Sequence, residues 1–76
     1  MSRGYSLRLQ LLNDQADPTN LGVRLGRLCI ARNVPVIEVA NTLGVSRQTV
    51  YNWFAGAWMP HHRCTSRIEQ FLAKLS

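Results

Sequence analysis

Acidic side chains are scarce in this chain. Asp14, Asp17, Glu38 and Glu69 are the only four in 76 residues, against nine Lys and Arg, giving a formal charge of +5 and a pI of about 10.3. Lysine is scarcer still: Lys74 stands alone beside eight arginines. Arginine's planar fork suits phosphate oxygens and guanine edges, whereas lysine acts more as a point charge. A small basic domain has three natural partners: nucleic acid, an acidic protein or an anionic membrane. The arginine bias favours the first. Cysteine is limited to Cys29 and Cys64. A small secreted scaffold usually carries four or more, so both are read as free thiols in or near the core, in a reducing compartment. The spacing of Cys29, His61, His62 and Cys64 fits no usual zinc pair, so no metal is expected. No stretch approaches the roughly 18 apolar residues of a membrane span, and residues 1–5 open no signal-peptide apolar region. Cytoplasmic residence is the expectation. With few carboxylates, no nucleophile–base pair and no phosphate-binding glycine loop, neither catalytic residues nor a cofactor or small-molecule ligand is expected.

What the chain does have is apolar material, 46% of its residues, enough to fold without a partner. The length allows one domain, and a domain this small leaves about 40% of its unfolded surface exposed. Its core must therefore be compact and local, which suits short packed helices. Residues 1–16 read as an N-terminal arm and 17–76 as the main domain. In the arm, Leu7, Leu9 and Leu11 alternate like a strand, yet Tyr5, Leu9 and Leu12 share a helical face. It is either a short helix, the reading slightly favoured, or a strand that pairs with a second copy. Residues 13–17 read as a turn.

Asp17 and Pro18 have the chemistry of a helix start. From there Leu21, Leu25, Leu28, Cys29 and Arg32 share one side, and Asn33 ends the helix ahead of Pro35. A helix is predicted over residues 36–43, stopped by Gly44, and another over 46–54, capped by Ser46 and ended by Gly56. A last helix carries Ile68, Phe71, Leu72 and Leu75 on one face. Ser66 and Glu69 have capping-box spacing at its start, although Pro60 could also open it. The fold class expected is all-α, with four or five helices.

The stretch from Val36 to Asn52 is the informative one. Two short helices joined by a three-to-four-residue turn containing glycine make a helix-turn-helix. Ala40 is small, so the second helix can cross close over the first. Gly44 can take the positive φ required after the first helix. Val45 points inward from the turn, and Val50 packs under Ala40. Val39, Leu43 and Trp53 complete the core side.

This segment resembles the helix-turn-helix of the phage lambda repressor and Cro family, also called the XRE family. Ala40, Gly44 and Val50 stand at its three characteristic spacings, and Val39, Leu43, Val45 and Trp53 match its apolar positions. The helix before the motif and the run from Trp53 to Pro60 are also similar, so the resemblance covers roughly residues 18 to 75. It implies a homodimer that binds double-stranded DNA at a roughly palindromic operator. Two positions depart from the pattern: Val36 and Ala55 are apolar where family members often carry polar residues that touch phosphate.

Within the second helix of the motif, Arg47, Gln48, Tyr51 and Asn52 fall together, facing away from Val50 and Trp53. Arg can bond guanine N7 and O6, and Gln or Asn can bond adenine N6 and N7. Ser46 and Thr49 flank a helix N-terminus whose free N–H groups favour a phosphate. Arg24, Arg27 and Arg32 are either phosphate contacts or a solvated face, the second reading being favoured, with Arg32 the best phosphate contact of the three. Trp53 belongs to the core; Trp58 either covers the end of the core or enters a dimer interface. The function expected is that of a small phage-type repressor, with no further effector domain. The alternative is a helix-turn-helix adaptor that binds an acidic component of the transcription machinery.

Overall fold

The computed structural model describes residues 5–75. They form five α-helices and no strand: α1 Leu7–Gln15, α2 Leu21–Arg32, α3 Val36–Leu43, α4 Arg47–Ala55 and α5 His62–Leu75. The Cα radius of gyration is 10.9 Å, close to the ~11 Å of a compact globule of this length. The all-α architecture is the one expected.

The region of residues 1–16 is helical from Leu7. Ser6 starts α1, its Oγ accepting the Leu9 N–H at 3.1 Å. Tyr5, Leu9 and Asn13, spaced by four, are the buried side of this segment, while Leu12 is exposed. Asn13 therefore belongs to a helix and to the interior, a correction to the turn read over residues 13–17. Its amide donates to the Val23 carbonyl at 3.1 Å and to the Phe54 carbonyl at 2.7 Å, joining α1 to α2 and α4. The Tyr5 hydroxyl donates to the Val34 carbonyl, beyond the end of α2. Met1 to Gly4, the remainder of the arm, lie outside the described residues.

The start of α2 also differs from the expectation at Asp17 and Pro18. Asp17 instead organises a separate turn, its Oδ1 accepting the Thr19 N–H at 2.9 Å and the Thr19 hydroxyl at 2.8 Å. Asn20 is the true cap, accepting from the Gly22 N–H at 2.9 Å. An Asp-Pro pair serves a turn as well as it serves a helix end, and local chemistry does not separate the two. At the far end Asn33 takes the left-handed conformation, φ 58°, and closes α2.

Helix α2 is the central strut, packed on α4, α5 and α1. Its two glycines permit the closest of these approaches. A Cβ on Gly22 would lie 2.7 Å from Trp53 Cβ, and one on Gly26 would lie 2.8 Å from Phe54 Cγ. The core built around this crossing contains Leu25, Cys29, Val39, Val50, Phe54 and Ile68, all fully buried. Helix α5 begins at His62, so Ser66 is interior to it and the capping-box reading fails. Pro60 and His61 precede the first turn, and the His61 carbonyl accepts the Cys64 N–H at 2.8 Å.

Candidate nucleic-acid interface

Helices α3 and α4 carry the motif. Gly44 adopts φ 70°, ψ 35° at the end of α3, and the Val45 N–H reaches back to the Ala40 carbonyl at 3.0 Å. Ala40, Leu43 and Val50 are buried together, with Val45 packed against them. Trp53 and Phe54 anchor the other end of α4 against α2. With three sides of the helix fixed in this way, its remaining side has only one direction to face.

That side is the predicted one. Ser46, Arg47, Gln48 and Tyr51 are exposed, and Thr49 and Asn52 are half-buried at its edges. Ser46 caps the helix: its Oγ accepts the Thr49 N–H at 3.1 Å and lies 2.9 Å from the Thr49 hydroxyl. One turn on, Gln48 Nε2 donates to Asn52 Oδ1 at 3.3 Å. The pair holds the two amides side by side. It leaves the Gln48 carbonyl oxygen as an acceptor and the Asn52 amide as a donor, the two functions an adenine edge requires. Arg47 extends from the first turn with no hydrogen bond or ion pair to any described residue. The surface thus offers a guanidinium, two amides, a phenol and two hydroxyls on one short helix, with no carboxylate among them.

Arg32 is exposed in the last turn of α2. Arg24 is exposed as well. Arg27 has a role that sequence reasoning missed. Its Nη2 donates to the carbonyls of Asn13, Asp14 and Ala16 at 3.4, 3.2 and 3.4 Å, so it caps the C-terminus of α1. A cation there meets free carbonyls and the negative end of the helix dipole. Val36 and Ala55, the two departures from the pattern, are buried and half-buried. Of the two thiols, Cys29 lies in the core and Cys64 is half-buried. Trp58 is 60% exposed and is not among the residues of the core cluster.

No family model matches the chain, and neither a curated protein nor a solved structure matches it.

Proposed function

We propose that this chain is a sequence-specific double-stranded DNA-binding regulator of transcription that reads the major groove with α4. One observation carries the reading. The helix that the core fixes most firmly through Val50, Trp53 and Phe54 presents Arg47, Gln48, Tyr51 and Asn52 outward as one surface. A major groove admits one α-helix, and these side-chain types match its donor and acceptor code. The net charge of +5 supplies the sequence-independent attraction to phosphate. The likeness of the Ala40, Gly44 and Val50 pattern to lambda repressor and Cro-type domains supports the same reading, with homodimeric binding to a two-fold operator. No described helix is long and apolar enough to cross a membrane; action in the bacterial cytoplasm, at the nucleoid, belongs to the proposal.

Selection of bound sequences from a random duplex pool tests it. A defined consensus is expected, and Gln48→Ala should relax the preference at one base pair. Recovery of no consensus, with equal retention of the parent and of the Arg47, Gln48 and Asn52 alanine variants on all duplexes, would overturn the assignment of α4 as reader.

A further inference from the structure

A second basic site lies away from the outer face of α4. Helix α5 packs on α2 and α3 and makes no close backbone approach to α4. Between α3 and α5 is a cavity of about 260 Å³ lined by Thr42, Leu43, Arg67, Gln70, Phe71 and Lys74. Arg67, Gln70 and Lys74 are spaced i, i+3, i+7 and form one stripe along α5. Thr42 faces them from the last turn of α3. None of these four polar side chains has a hydrogen bond or ion pair among the described residues. No carboxylate lines the cavity, while Leu43 and Phe71, nearly buried, form its apolar part. Two cations, an amide and a hydroxyl with nothing to hold surround an apolar floor.

We infer that this groove is a docking site for an acidic peptide segment of a partner protein. Carboxylates would take Arg67 and Lys74, and an apolar side chain between them would rest on Leu43 and Phe71. Charge complementarity selects the occupant: the only charged lining residues, Arg67 and Lys74, are both cations, and a carboxylate accepts from a guanidinium fork in bidentate fashion. Size narrows it further. The cavity falls below the roughly 300–1,000 Å³ of sites for drug-sized ligands and cofactors, and suits a side chain. Along α5, Arg67 and Lys74 are separated by about 10 Å, so one phosphate group does not span their anchor points, whereas an extended peptide covers that distance in about three residues. The position relative to α4 allows the groove to be filled while α4 is engaged elsewhere, so the inference does not depend on the DNA reading.

The probe is a short fluorescein-labelled peptide of alternating glutamate and leucine, with the same peptide carrying glutamine as control. The full chain should bind the acidic peptide and not the control. Arg67→Gln and Lys74→Gln should each weaken binding roughly two- to fivefold, as expected for loss of an ion pair at an exposed side chain. Gln70→Glu places a negative charge in the same stripe, four residues before Lys74 where it favours the helix, and should weaken binding while melting is not lowered. Each variant lowers the net charge by one, so retention on duplex DNA should fall only by the small step seen in Arg8→Gln, which removes an exposed charge outside the groove. Equal affinity for the two peptides would overturn the inference. So would a fall in melting temperature of Arg67→Gln with no peptide effect, since Arg67 would then serve only the α3 terminus, where its Nη1 lies 3.7 Å from the position a Cβ on Gly44 would occupy. A loss of DNA retention in Arg67→Gln and Lys74→Gln beyond that of Arg8→Gln would assign the groove to phosphate instead.

Discussion

Single residues decide several features that no helical pattern announces. Asn13 is the clearest case. It is a polar side chain inside a small core, and it satisfies the Phe54 carbonyl at the C-terminal end of α4 while bonding the Val23 carbonyl. Asn13→Ala should cost about 1–3 kcal/mol, the range for leaving a buried acceptor unpaired, measured by denaturant unfolding. The face of Tyr5 and Leu9 extends to residue 13 by the next step of four, so the signal was present in the sequence; asparagine's preference for turns concealed it. Cys29 makes a prediction of a different kind. Burial, assisted by the negative charge of Glu38, pushes its thiol up to about 12. Burial raises the Tyr5 phenol too. An unfolded thiol ionises near ~8.5, so the folded chain retains a proton that the unfolded chain has released. Stability present below that pH is therefore lost as pH rises toward the folded value. Cys29→Ala should flatten this alkaline limb in a series of melts, with Tyr5 accounting for the remainder. Alkylation at about pH 8 should modify half-buried Cys64 and spare Cys29 until the chain unfolds.

At the scale of elements, periodicity served best where apolar spacing and terminal chemistry agreed. Helix α3 was legible from Val36 to Leu43 and α4 from its Ser46 cap, because a glycine with positive φ, a capping hydroxyl and a buried stripe indicate the same boundaries there. The start of α2 was not, because Asp17 and Asn20 are both competent caps and only packing chooses between them. The exposed side of α4 followed from its buried side, which is why the candidate site residues were readable while the groove between α3 and α5 was not: it joins residues 42 and 67, distant in the chain. Two element-level predictions follow from backbone approach. Gly44→Val should cost roughly 1–3 kcal/mol, since a β-branched residue is strained at φ 70°. Gly22→Ala should cost a similar amount, about 1–3 kcal/mol, for another reason: the added methyl lies 2.7 Å from Trp53 Cβ and forces α2 and α4 apart. Thermal melts of the two variants check both. Unchanged curves would mean that neither the turn nor the crossing is as tight as described.

The whole molecule sets the geometry of the proposed binding. Its longest principal extent is 31 Å, and it has one copy of α4. Successive major-groove faces on one side of a duplex recur about every 34 Å. One protomer therefore offers a reading helix to one half-site only, and an operator of two half-sites needs two copies lying side by side. Residues 5–16 are not separable from this unit in the way a free arm would be, because Tyr5, Leu9 and Asn13 sit in the core; their removal would report on folding before it reported on assembly. The test must keep the full chain. Footprinting on the selected operator should show two protected patches about one helical turn apart, appearing together as protein is added. Inserting about half a helical turn of DNA between the half-sites turns the second groove to the opposite side of the duplex. Joint protection should then fail while each half-site keeps its own weaker binding. A single short patch, unaffected by the insertion, would mean that one copy acts alone, with α4 still the reader and the two-fold arrangement discarded.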